Sequence, residues 1–197
     1  MFFTIFELFD IIVMTVAIGF VFKDFFKPRI DYSADPVSYY QKSSMSNLKF
    51  AIIVTAPAVI LHEFGHKFIA MAFGMNATFH AAYTWLLIAV ILKLFNSRFL
   101  FIVPAYVSWS CTNTLCLARI NSLPIIPGLI AFAGPGINLL IWLSSWYVYK
   151  NFKLKTNIHQ ILVLTSKINM FLFIFNMLPI PGFDGFHIFS TIFNLIL

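Results

Sequence analysis

Long apolar runs separated by short polar segments dominate the chain. Four of these runs are long enough to cross a bilayer as helices, at about 20 residues per crossing: 2–22, 50–73, 125–149 and 158–178. Gly74 is a suitable C-cap for the second run, and Pro179 and Pro181 end the last one. The pattern predicts an all-α polytopic membrane protein with about five to six transmembrane helices.

The stretch between the second and third runs does not read as a simple crossing. Residues 83–95 are strongly apolar but short, and residues 99–109 are rich in β-branched and aromatic side chains and contain Pro104. A strand, a re-entrant segment and part of a further span all fit this second piece. We therefore expect a small membrane-edge β-sheet or a re-entrant segment here, and an interfacial or half-buried tail at 187–197.

The polar segments leave no room for a separate soluble domain. The longest of them, 23–49, carries Pro28, Pro36 and several serines and lysines, which indicates a polar loop. The first run lacks a basic start and a small-residue cleavage site, so we expect it to stay in the protein as an N-terminal span, 1–22. The prediction is one transmembrane domain over 1–197, with its core motifs in 50–187.

Composition agrees with the pattern. The chain is 60% apolar and only 10% charged, against roughly 25% charged in soluble domains, which excludes a soluble globule and a disordered chain. Its two cysteines, Cys111 and Cys116, exclude a disulfide scaffold and are better explained as small apolar residues than as a metal site. The net charge of +6 comes from basic residues placed between apolar runs, as at the flanks of membrane spans, so we expect a lipid bilayer and not nucleic acid as partner.

Acidic residues are scarce and unevenly placed. Five of the seven lie in the first 35 positions, and the rest of the chain has two, Glu63 and Asp184. An acid within a membrane costs about 2.5–3.5 kcal/mol on insertion scales and usually marks function. These two positions are therefore the first places to look for chemistry.

Glu63 lies in the second run within His62-Glu63-Phe64-Gly65-His66, an H-E-x-x-H pattern. Two histidines four residues apart share one face of a helix and can bind the same zinc ion. Glu63, next to the first histidine, is placed to accept a proton from the attacking water. The alternative is a pair of packing histidines beside a stray glutamate, which is costly inside an apolar run.

A catalytic zinc typically has three protein ligands, so a third must come from elsewhere. Asp184 follows the last long run in Asn176-Met-Leu-Pro-Ile-Pro-Gly-Phe-Asp184-Gly185, and Gly185 permits close backbone approach. We predict Asp184 as the third ligand, with His187 as the alternative.

Three motifs in order resemble the site-2 protease family of intramembrane zinc metalloproteases. They are H-E-x-x-H in one span, Ala133-Gly134-Pro135-Gly136-Ile137-Asn138 in a later one, and Asn-x-x-Pro-x-Pro-x-x-Asp-Gly after the last. The resemblance runs from about His62 to Gly185, and it is nearest to prokaryotic members without PDZ or CBS domains. Residues 83–121 match the family poorly.

The resemblance implies a zinc metalloendopeptidase with one Zn²⁺ per chain, multi-pass in a prokaryotic cell membrane. It would hydrolyse peptide bonds within or next to transmembrane segments of membrane-protein substrates, in regulated intramembrane proteolysis. By resemblance His62, His66 and Asp184 are zinc ligands and Glu63 is the general base. Asn138 would hold substrate or the developing oxyanion, or else only pack, and Asn176 would brace the Asp184 loop or take part in catalysis.

A different class of function, a metal transporter or metal-binding scaffold, would also place histidine and aspartate among membrane spans. Transport needs several polar sites along a path, whereas the two acids after position 35, Glu63 and Asp184, are expected at one point. A glutamate beside His62 has a specific task only in hydrolysis. These two features favour the protease.

The three motifs can meet only if the chain between the second and third runs leaves and returns on one side of the membrane. On that topology most basic residues lie on the other side, which the positive-inside rule makes cytoplasmic. The family resemblance implies the opposite orientation, so the sequence leaves orientation open.

Overall fold

The computed structural model of the chain describes residues 3–25, 36–95, 97 and 103–196, without the side chains of 36–45. Seven helices and two strands lie in these residues. In chain order they are α1 (Ile5–Phe22), α2 (Pro36–Ala72), β1 (Asn76–Ala81), α3 (Tyr83–Leu94), β2 (Ala105–Ser110), α4 (Thr114–Ser122), α5 (Ile126–Asn151), α6 (Thr156–Asn176) and α7 (Asp184–Ile196).

The predicted fold class, a mostly helical polytopic membrane protein with a small sheet, is confirmed. Among the described residues four helices are long and apolar enough to cross a membrane, namely α1, residues 46–72 of α2, α5 and α6. Large apolar side chains such as Phe6, Leu140 and Phe171 are exposed on these helices, as expected for surfaces that face lipid. The four agree closely with the four long runs of the sequence, and they are fewer than the five to six transmembrane helices that we expected.

The prediction of a polar loop over 23–49 is wrong for its second half, because α2 already begins at Pro36. Proline is well tolerated in the first turn of a helix, where its missing N–H has no helical partner. The serines and lysines that follow carry only a small helix penalty. They extend α2 beyond the apolar run that crosses the membrane.

Between α2 and α5 the described chain contains only short elements. The 12-residue α3 is about 18 Å long, too short to cross. β1 and β2 form a two-stranded antiparallel sheet in which Phe79 pairs with Val107 and Ala81 with Ala105. The expected small sheet is thus present, with β2 inside the predicted stretch 99–109. Residues 96 and 98–102 lie outside the described residues.

Two acids of α1 bind the outer edge of β1. Glu7 accepts hydrogen bonds from the backbone N–H of Phe79 (2.7 Å) and from the buried ammonium of Lys67, with which it forms an ion pair. One turn further on, Asp10 accepts from the N–H of Ala81 at 3.2 Å. These bonds tie α1 to β1 and, through Lys67, to α2 beside His66.

The register of the two strands shows which backbone groups of β2 point away from β1. Since the N–H groups of Phe79 and Ala81 point to α1, their pairs with Val107 and Ala105 are non-hydrogen-bonded ones. The N–H and C=O of Val107 therefore point away from β1, toward the other edge of β2. We call this the free edge, because it pairs with no strand in the part of the chain that the structure describes.

Cys111 and Cys116 form a disulfide across the turn from β2 to α4, with Cα atoms 5.5 Å apart. The prediction that they serve as separate small apolar residues is wrong. Asn113 between them caps α4 by accepting a hydrogen bond from the N–H of Cys116 at 2.7 Å.

α5 lies at the centre of the bundle and packs most extensively against α6 and α2. Its approach to α2 depends on Gly65, where a Cβ atom would lie 2.6 Å from the carbonyl oxygen of Ala133. Small residues allow membrane helices to approach this closely. The contact brings the H-E-x-x-H turn of α2 directly against α5.

Candidate metal centre

Three potential metal ligands converge from two helices. His62 and His66 lie one turn apart on α2, and Asp184 is the first residue of α7. Both Nε2 atoms are close to the same carboxylate oxygen, Oδ2 of Asp184, at 3.1 Å from His62 and 3.4 Å from His66. The two Nε2 atoms are 3.1 Å apart. The three side chains form a group that could hold a metal ion.

The size of this triangle of atoms suits zinc. With bonds of 2.0–2.1 Å, tetrahedral zinc holds its ligand atoms about 3.3 Å apart. The edges of the triangle, 3.1 to 3.4 Å, bracket that value. Two imidazoles and a carboxylate are also a common donor set for catalytic zinc, which leaves a further position open. The residues present therefore fit the metal.

One face of α5 supports both imidazoles. Nδ1 of His66 lies 2.7 Å from the carbonyl oxygen of Ile130, and Nδ1 of His62 lies 2.9 Å from the side-chain amide of Asn138. Between these two partners lies Gly134, where a Cβ atom would be 2.2 Å from Nε2 of His66 and 2.7 Å from Nε2 of His62. The rings fit against α5 because position 134 has no side chain.

Asp184 owes its position to the turn between α6 and α7. Gly182 has φ +95°, a backbone conformation that favours glycine, and a Cβ on Gly185 would lie 2.4 Å from the carbonyl oxygen of Leu178. Burial disfavours the charge on Asp184, but the hydrogen bonds with His62 and His66 outweigh it and hold the pKa of the carboxyl below its ordinary value.

A cavity of about 270 Å³ opens over the three side chains. Its wall comes from α2, from residues 103–107, from the end of α6 and from the turn into α7, and it includes Glu63, Asn176 and His187. Glu63 is 7% exposed, so its carboxyl lies within the protein and faces this space. A peptide bound in the cavity would meet the histidines, Asp184 and Glu63 together.

The structure thus brings together His62, Glu63, His66 and Asp184, as the sequence predicts, while their chemical roles stay predictions. The alternative ligand His187 lines the cavity but is outside the group of three. Asn138 is fully buried and does not line the cavity, whereas Asn176 does. The sequence analysis missed the role of Gly134 in making room for the imidazoles. Its position four residues before Asn138, on the same helical face, could have indicated that role.

Comparisons with known proteins agree with the motifs. A model of peptidase family M50 matches residues 147–197, which contain Asn176 and Asp184 but not the H-E-x-x-H segment. The chain is 29% identical over 180 residues to a “Putative zinc metalloprotease” of Methanocaldococcus jannaschii, covering 91% of this chain and 81% of that protein. No solved structure matches the chain. The resemblance to the site-2 protease family is confirmed.

Proposed function

From its similarity to M50 peptidases and the geometry of the metal centre, we propose that the chain is a zinc metalloprotease that cleaves peptide bonds within or beside membrane spans of other proteins. The observation that carries the proposal is the triangle formed by His62, His66 and Asp184, open to a cavity that Glu63 also lines. Its position among four apolar helices supports a substrate that is itself a membrane protein.

In this mechanism His62, His66 and Asp184 hold one zinc ion, which when bound polarises the scissile carbonyl and makes the attacking water more acidic. Glu63 takes a proton from that water as its oxygen bonds to the carbonyl carbon. When the C–N bond breaks, Glu63 returns the proton to the leaving nitrogen, which gives a carboxyl and an amine product. Asn176, at the cavity wall, is placed to donate a hydrogen bond to substrate.

A transmembrane substrate must lose its helical hydrogen bonds before its carbonyl can be attacked. The free edge of β2 offers replacement bonds, because Val107 points its N–H and C=O away from β1 and residues 103–107 line the cavity. We propose that the unwound substrate adds to β2 as a further strand.

The first test is metal-dependent cleavage in a bilayer. Purified chain reconstituted with a single-span substrate should contain about one zinc per chain, stop cleaving after chelation and recover when zinc is returned. Cleavage that persists after zinc is removed would contradict the proposal. Zinc flux across the membrane of the same vesicles, without any cleavage, would instead support the alternative function of a metal transporter.

Proline at position 107 tests the strand model. Val107→Pro removes an N–H at the free edge, a place where β-sheets accept proline, so the sheet should survive. We expect cleavage to fall at least about tenfold, from the loss of a hydrogen bond and of strand geometry, with zinc content unchanged. The control is Val107→Ala, which keeps the N–H. Equal cleavage by the two variants would refute addition at this edge.

A further inference from the structure

Asn138 is the residue for which geometry and resemblance disagree. Its side chain is completely buried, it does not line the cavity, and it approaches His62 at Nδ1, on the opposite side of the ring from Nε2. A group in this position cannot reach a substrate carbonyl in the cavity, since the His62 ring lies between them. A direct role in holding the oxyanion does not fit.

The zinc-binding form of His62 determines what Asn138 must do. If Nε2 binds zinc, the ring's proton must be on Nδ1, which then needs a hydrogen-bond acceptor. The side-chain amide of Asn138 is 2.9 Å from Nδ1, and its other polar atom, Oδ1, is buried without a partner among the described residues. The two ends of an amide exchange by a 180° rotation, which would give Nδ1–H the oxygen as acceptor.

The neighbouring ligand shows the same arrangement. Nδ1 of His66 lies 2.7 Å from the carbonyl oxygen of Ile130, which can only accept a hydrogen bond, so Nδ1 carries a proton and Nε2 is the nitrogen that would bind a metal. Ile130 and Asn138 are eight residues apart on one face of α5, with Gly134 between them. One helix thus places a polar group beside Nδ1 of each imidazole.

We infer that Asn138 is a positioning residue, which holds His62 in the tautomer and orientation that bind zinc and does not contact the substrate. This inference rests on the proposed zinc site. Partners of this kind typically contribute 10–100-fold to metal affinity. The oxyanion role predicts the opposite behaviour, with unchanged metal affinity and a lower kcat.

The experiment measures zinc affinity by competition with a chelator, on the full chain in detergent, independently of cleavage. Asn138→Leu should weaken zinc binding about 10–100-fold and alter the visible spectrum of the cobalt-substituted protein. Asn138→Asp, which keeps an acceptor for Nδ1–H, should bind zinc within about threefold of the unmodified chain and retain cleavage. The matched control is Asn169→Leu, which removes another fully buried asparagine, one that bonds within α6, and should leave zinc affinity unchanged.

Unchanged zinc affinity in Asn138→Leu would overturn the inference. If Asn138→Leu does not fold, Asn138→Asp provides the test. Normal zinc affinity with abolished cleavage in that variant would show that Asn138 stabilises the oxyanion and would overturn the inference. A chain that binds no zinc in its unmodified form would contradict the proposed function itself. The two failures are therefore distinguishable.

Discussion

Replacing Glu63 with glutamine is expected to abolish cleavage while leaving one zinc bound. Glutamine has almost the same size and shape, and the ligands His62, His66 and Asp184 are untouched. The amide cannot take a proton from water, so the step that the carboxylate performs is lost. General-base catalysis typically contributes 10²–10⁴-fold, and we expect a loss of at least about 100-fold in kcat.

The measurement pairs zinc content with initial rates on a reconstituted membrane substrate. Glu63→Asp is the companion variant, because it keeps a carboxylate but draws it back by one methylene, and an intermediate rate is expected. Glutamine-variant rates within tenfold of the unmodified chain would contradict the role of Glu63 as general base. Loss of zinc from the same variant would show instead that Glu63 helps to hold the metal.

The second large effect is expected from a single methyl group on α5. In Gly134→Ala the new Cβ would lie 2.2 Å from Nε2 of His66 and 2.7 Å from Nε2 of His62, far inside van der Waals contact. Both imidazoles would have to move from the positions in which they meet Asp184. We expect zinc affinity to fall by at least about 100-fold and cleavage to fall with it. Loss of a hydrogen-bond partner of a ligand already costs up to about 100-fold in metal affinity, and here the ligands themselves are displaced.

Gly136→Ala is the matched control, two residues along the same helix. The nearest atoms to its Cβ would be those of the Phe132 ring, from 3.3 Å, and that side chain is partly exposed and free to shift. Both substitutions raise helix propensity equally, so any difference between them reports on the metal centre. Normal zinc binding by Gly134→Ala would show that the imidazoles do not need the space that the structure gives them.

The spans and the three proposed ligands could be predicted because a membrane makes polar residues costly. In a chain with so few charges, Glu63 and Asp184 stand out, and the helical spacing of His62 and His66 places them on one face. For the three motifs to meet, the segment between α2 and α5 had to return to the side of the membrane from which it started. The short α3 and the two-stranded sheet meet that requirement.

Other features depend on contacts that no local pattern records. Whether Asn138 faces substrate or the back of a histidine depends on how α5 is rotated against α2, and this rotation is set by close contacts such as that between Gly65 and Ala133. The start of α2 at Pro36 was missed because polar residues outside the membrane can extend a helix as readily as form a loop. The pairing of Cys111 with Cys116 depends on the turn that brings them together.

The bonds from Glu7 and Asp10 to β1 have a consequence for encounters between copies of this protein in a crowded membrane. An unpaired strand edge is a template for any other chain, including a second copy. Here side chains of α1 already bind the β1 edge, so of the two edges of the described sheet, β2 is the one left for pairing between copies. Because that is the edge proposed for substrate, such self-association and substrate binding would exclude each other, and crowding would lower the rate per molecule without any change at the metal.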